Sequence, residues 1–117
     1  MGKQGHEFFA GISRQSTGSQ ALCLHVITIP PATRDKPHMH QDHESAIYII
    51  SGQVEGWYGE SLQDSFSAKA GDFVYIPRGV PHQPVNTSPT EPLLAIIART
   101  DPNEQESVVL LPDPRQD

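Results

Sequence analysis

Glycine, proline or an aspartate-bearing turn breaks this chain roughly every eight to twelve residues, the spacing of short strands folded back on one another. Eleven prolines and nine glycines in 117 residues leave little room for long helices. Proline removes a backbone donor and glycine loses the most entropy on ordering, so neither belongs inside a helix. The segments between breaks read as strands at 7–12, 21–29, 45–51, 54–58, 72–76, 82–86, 93–99 and 107–111. Several carry the β-branched and aromatic residues that strands favour, as in AIYII, FVYI and LLAII. In 21–29, Leu22, Leu24 and Val26 alternate with Cys23, His25 and Ile27, so this strand is apolar on one side and mixed on the other, and both faces are expected to be partly covered. The expectation is an all-β sandwich or barrel, and the length suits a single domain over 1–117.

Charge narrows the partners. Fourteen acidic against eight basic side chains give a net charge of −6, and the arginines are scattered, so a phosphate backbone would be repelled and no nucleic acid is expected. No apolar run is long enough for a membrane span, and the start of the sequence lacks the apolar stretch of a signal peptide. A cytoplasmic protein with no membrane association is expected. Cys23 is the only cysteine, which excludes an internal disulfide and a thiolate zinc cluster. Chemistry must then rest on nitrogen and oxygen, and six histidines supply it, three of them at His38, His40 and His43.

In the stretch PHMHQDHE, His38 and His40 stand two apart, so on a strand both imidazoles face one side and can chelate one ion. Glu44 shares their parity, yet six residues of straight strand span roughly 20 Å, far more than a metal shell. A bend through Gln41, Asp42 and His43 must return Glu44 to the site. Two histidines and a carboxylate with open positions form a set used by non-haem iron. A further ligand, His82, is delivered by GDFVYIPRGVPHQPVN, where Gly71–Asp72 and Pro77-Arg78-Gly79 read as turns.

These residues carry a family resemblance. Gly71, Pro77, Gly79, His82 and Asn86 match every fixed position of the second cupin motif, G(X)5PXG(X)2H(X)3N, and His38, His40, Glu44 and Gly52 resemble the first, G(X)5HXH(X)3,4E(X)6G. The chain thus resembles a small single-domain cupin over about residues 22–100. The likeness implies a jelly-roll β-barrel, the double-stranded β-helix, with His38, His40, Glu44 and His82 as ligands of a divalent metal such as Fe, Mn, Ni or Zn. It also implies a dioxygenase-like, isomerase or lyase enzyme on a small organic molecule, or a non-catalytic small-molecule binding module.

Two positions depart from the pattern. Ala32 stands where the first motif opens on glycine, and seven residues rather than six separate Glu44 from Gly52. An extra residue exchanges the faces of a strand unless a bulge absorbs it, so His43 competes with Glu44 as third ligand. Glu44 and Tyr48, which share parity, are the expected catalytic and pocket residues. Asn86 is expected to tie the last hairpin through backbone hydrogen bonds, and His25 to be a satisfied strand residue, with a place on the pocket lining as the alternative. The aromatics Trp57, Tyr58, Phe73 and Tyr75 suit a core or a dimer interface. A homodimer is expected, with the acidic segment 101–117 packing at its interface.

Overall fold

A computed structural model describes residues 7–103 and 108–115. Among the described residues eleven strands form in chain order: β1 Glu7–Ile12, β2 Cys23–Ile29, β3 Thr33–Arg34, β4 His38–Met39, β5 Ser45–Ser51, β6 Gln53–Tyr58, β7 Asp64–Lys69, β8 Phe73–Ile76, β9 His82–Asn86, β10 Leu93–Arg99 and β11 Val109–Leu110. They build two antiparallel sheets, one ordered β1-β2-β10-β5-β8 and the other β11-β4-β9-β6-β7 with β3 beside β9. Consecutive strands often fall in different sheets, as in a jelly roll. Part of the last expected strand, residue 107, lies outside the described residues. Strand β7 escaped the sequence reading because DSFSAK holds no β-branched residue, although Phe66 and Ala68 alternate with Ser65, Ser67 and Lys69. A single helical turn, α1 at Arg14–Thr17, joins β1 to β2. Ser13 caps it by accepting from the Ser16 amide at 3.1 Å, and Gly18 ends it in the left-handed region.

The two sheets pack their inner faces around Ile27, Ile29, Ile49, Val54, Leu93 and Ala95. Asn86 locks one end of this barrel. Its Nδ2 donates to the carbonyls of Ile29, Pro30 and Glu91 at 2.9–3.2 Å while its Oδ1 accepts from the Ser88 amide, so one buried side chain satisfies a whole turn as expected. The residue added between Glu44 and Gly52 is absorbed as a bulge. Leu94 pairs with Ser51 and Ala95 with Ile49, which leaves Ile50 as the extra position. Upstream of it, His43, Ser45 and Ile49 are buried.

The outer faces differ. On the first sheet the register sets Phe9 opposite Val26, Val26 opposite Ile96, Ile96 opposite Tyr48, and Tyr48 opposite Phe73, an unbroken apolar row over five strands. A second row beside it runs Ile12, Leu24, Ala98, Ala46, Tyr75. On the second sheet the outward positions of β6 and β7 are Gln53, Glu55, Trp57, Ser65, Ser67 and Lys69, and the C-terminal segment lies across the sheet. There β11 pairs with β4, Asp113 takes a bond from Gln83 at 2.8 Å and sits 3.3 Å from Arg34, and the Arg115 guanidinium lies 3.6 Å over the Trp57 ring. The described part of the segment expected at a dimer interface is thus applied to its own chain.

Candidate metal centre

His38 on β4 stands directly opposite His82 on β9, and the turn after β4 brings His40 beside them. Their ring centroids lie 4.3 Å (His38–His82), 5.2 Å (His38–His40) and 5.3 Å (His40–His82) apart. One nitrogen from each lies within 4.8 Å of the other two, and all three residues are buried. The backbone holds the rings in orientation. His38 Nδ1 is 2.7 Å from the Lys36 carbonyl and His82 Nδ1 is 2.9 Å from the Val80 carbonyl. A carbonyl can only accept, so each Nδ1 carries the proton and each Nε2 carries the lone pair a metal needs. The same i−2 carbonyl contact on two separate strands fits a divalent ion. Gly79, at φ 75°, turns the chain that leads into β9 and donates its amide to the His40 carbonyl at 2.7 Å, tying the second motif to the first.

Glu44 lies apart from this cluster. Its Oε1 accepts the Tyr75 hydroxyl at 3.0 Å on the exposed side of the barrel, and its backbone pairs with Thr100. That hydrogen bond, with smaller contributions from desolvation and the carboxylate charge, raises the Tyr75 pKa above its ordinary value, while Arg78 acts the other way. His43 is buried on the inner parity, its ring 4.5 Å from that of His40 and its Nδ1 3.7 Å from Asp101 Oδ2, yet it too stands outside the set of three. Tyr48 is corrected to the outer face. It is 41% exposed and packs on Phe73 with centroids 4.9 Å apart. The bend between His40 and Ser45 resets the alternation, so parity counted from the histidines does not carry into β5.

The histidines open into a cavity of about 680 Å³ inside the barrel. Its walls are mostly apolar, with Ile27, Ile47, Ile49, Leu93 and Ile97 from the first sheet and Val54, Phe66 and Ala68 from the second. Further polar residues line it, among them the buried Asp35, His25 and Arg99, with Ser67 and Asp72 also on the lining. His25 stacks on Phe8 at 5.2 Å and its Nε2 is 3.1 Å from Cys23 Sγ. Arg99 is 4% exposed and donates Nη2 to the Asn103 carbonyl. Sequence reading placed neither Asp35 nor Arg99 in the site. For Arg99 the signal was present, since it shares inward parity with Ala95 and Ile97 on an otherwise apolar strand.

The cupin domain family matches residues 25–98. A search of curated proteins finds no match. Among solved structures, an oxalate decarboxylase from Bacillus subtilis is similar at TM-score 0.76 and 22% identity, over 95% of this chain and 29% of that one. The formate complex of the Lactobacillus farciminis oxalate decarboxylase gives 0.73 and 24%, over 92% and 31%. An uncharacterized conserved protein with a double-stranded β-helix domain from Klebsiella pneumoniae subsp. pneumoniae MGH 78578 gives 0.74 and 18%, over 97% and 90%. The chain therefore spans less than a third of the decarboxylases it resembles, and these likenesses establish the fold.

Proposed function

The chain belongs to the cupin domain family, and from that premise we propose that it is a metal-dependent enzyme acting on a small, oxygen-rich organic molecule inside the barrel. The observation that supports this most is the trio His38, His40 and His82, with the protonated nitrogens of His38 and His82 turned to backbone carbonyls, at the wall of an apolar cavity. A divalent ion bound there, whether Fe, Mn, Ni or Zn, would act as a Lewis acid toward a chelating oxygen pair, and iron would add electron transfer to dioxygen.

The chain's own groups shape the rest. The apolar wall excludes water from a bound ligand, which strengthens every charge interaction within the cavity. Three neutral imidazoles leave the charge of the ion uncancelled, so ligands with adjacent anionic oxygens are favoured over amines or hydrocarbons, while the Arg99 guanidinium and the Asp35 carboxyl on the lining offset one another. In this reading Glu44 serves as fourth ligand or as base, which it can do only by giving up the hydrogen bond from Tyr75. Oxygenase chemistry comes first because the ligand types suit iron. A redox-neutral lyase or isomerase is the second reading, favoured by the structural likeness to oxalate decarboxylases. A non-catalytic binding module is the third.

Among the described residues no helix is long and apolar enough to cross a membrane, and the lone thiol Cys23 suits a reducing compartment such as the cytoplasm. The experiment is to load metal-free protein with iron(II) or zinc(II) and to offer keto-enols, hydroxy acids and sugars with and without air. Turnover with iron only in air supports the oxygenase. Turnover with zinc in the absence of air replaces it with the redox-neutral reading, and saturable binding without turnover leaves the binding module.

A further inference from the structure

The inner face of the first sheet is apolar except toward one end. There the register sets Cys23 opposite Arg99 and Arg99 opposite Ser45, with Ile76 on the other side of Ser45. Both flanking residues, Arg99 and Ile76, line the cavity. Ser45 shares the inner side of β5 with Ile47 and Ile49, which are also on the wall, and it is 2% exposed. The histidines stand at the same end of the barrel, since Ile76 leads directly to the turn whose Gly79 amide bonds the His40 carbonyl. Yet the Ser45 Oγ is buried with no hydrogen-bond partner among the described residues. A hydroxyl left in that state costs stability that alanine at the same position would not.

The place of this serine in the chain is informative. The first cupin motif allows four residues between its second histidine and its carboxylate and six from there to its glycine, so counting forward from His40 or back from Gly52 arrives at residue 45. Gly52 anchors the count, because its φ is 82° and a Cβ there would stand 2.5 Å from the Pro92 carbonyl oxygen. The bulge at Ile50 leaves the pairing from Ile49 back to Ser45 regular. Ser45 therefore turns inward while Glu44 bonds Tyr75 outside.

We propose that Ser45 holds the anionic oxygen of a bound molecule beside the three-histidine centre, in the place where the motif has a carboxylate. This rests on the metal-dependent reading above, and it gives the position of a fourth ligand to the bound molecule instead of to Glu44. A serine side chain stops short of where the oxygens of a glutamate would reach, which leaves space on the cavity side for a small molecule. Its O–H donates to an anionic oxygen in a charge-assisted bond. Three neutral imidazoles and a neutral hydroxyl leave the charge of the ion for the ligand to cancel, whereas a protein carboxylate would cancel part of it beforehand. The ligands selected are small 2-hydroxy or 2-keto carboxylates, and uncharged polyols of equal size fall behind.

The test uses the full chain with zinc(II), whose affinity is read by chelator competition, and glycolate and ethylene glycol as probes in calorimetry. Loaded wild type should bind glycolate at least about 10-fold more tightly than ethylene glycol. Ser45→Ala should keep zinc in stoichiometric amount and bind glycolate about 10-fold more weakly, the size of one charge-assisted hydrogen bond. Ser45→Glu should bind zinc about 10-fold or more tightly than wild type and lose glycolate affinity by about 100-fold. Unchanged glycolate affinity in Ser45→Ala would overturn the proposal while leaving the metal centre standing. So would equal binding of the two probes by wild type, or a Ser45→Glu chain with wild-type affinity for both zinc and glycolate. A wild type that binds no zinc would overturn the metal reading and this proposal together. If the far-ultraviolet spectrum shows that Ser45→Glu does not fold, Ser45→Ala decides, since it removes a single oxygen.

Discussion

The two sheets are both apolar inside and differ outside. One is covered by its own chain, through β11, Asp113 and Arg115, while the other presents two uncharged rows. The histidines belong to the covered sheet. Strand β4, which carries His38, has only two residues and is paired on one side by β9 and on the other by β11, where Leu110 stands opposite His38. A two-residue strand cannot hold a side chain rigidly by itself, so the C-terminal cover acts as outer support for the candidate metal site. The difference teaches that the histidine cluster sits where the chain fixes its own backbone, and that the face it leaves uncovered carries no such cluster.

Removing residues 108–117 tests that support most severely. It deletes the β11 ladder, the Gln83–Asp113 bond and the Arg115 contacts with Trp57 and with the Leu62 carbonyl. The expected loss is about 4 kcal/mol, from hydrogen bonds worth about 1 kcal/mol each and a cation–π contact of similar size. Chemical denaturation measures it, and metal affinity should fall in parallel. A truncated chain with unchanged affinity would show that β9 alone positions His38. Arg115→Ala is a milder version. It should cost about 1–2 kcal/mol by the same measurement.

The bare face has a titrating group at its rim. Tyr75 donates to Glu44, so its raised pKa favours the protonated phenol, and the tie is complete below the ordinary tyrosine pKa and lost as pH rises through the folded value. In an ultraviolet titration the Tyr75 transition, identified by its loss in Tyr75→Phe, should shift downward in Glu44→Gln. If metal loading draws Glu44 into the site, the same transition moves down on adding the ion, and if it does not move, Glu44 stays outside the shell.

Much of the fold was legible in the sequence because turn residues announce themselves locally. Strands 7–12, 45–51, 82–86 and 93–99 needed only punctuation and β-branched runs, and His38, His40 and His82 needed only a two-residue spacing and a turn. Side-chain direction across a bend was not legible. Tyr48 shares parity with His40 on paper, but four residues of turn intervene and the count restarts at Ser45. Nor could the sequence show that Asp113 and Arg115 fold back on the second sheet, since those contacts join residues far apart in the chain.

The smallest expected effect lies in the link from β2 to β3. Ala32 has φ 52°, a left-handed conformation, at the position where the first cupin motif has its glycine. An L-residue pays about 1–2 kcal/mol there, and glycine's greater freedom when unfolded returns part of that. Ala32→Gly should therefore raise stability by about 0.5 kcal/mol in denaturant titrations. A loss would mean that the freedom glycine gains in the unfolded chain outweighs the strain relieved at position 32, the backbone bond to the Ser88 carbonyl being common to both chains.

Elemental analysis of untreated protein, beside the His82→Ala and His43→Ala variants, tests the three-histidine centre directly. The account predicts one divalent ion per chain in the wild type, none at stoichiometric level in His82→Ala, and nearly full occupancy in His43→Ala. An ion retained by His82→Ala, or lost from His43→Ala alone, would contradict it.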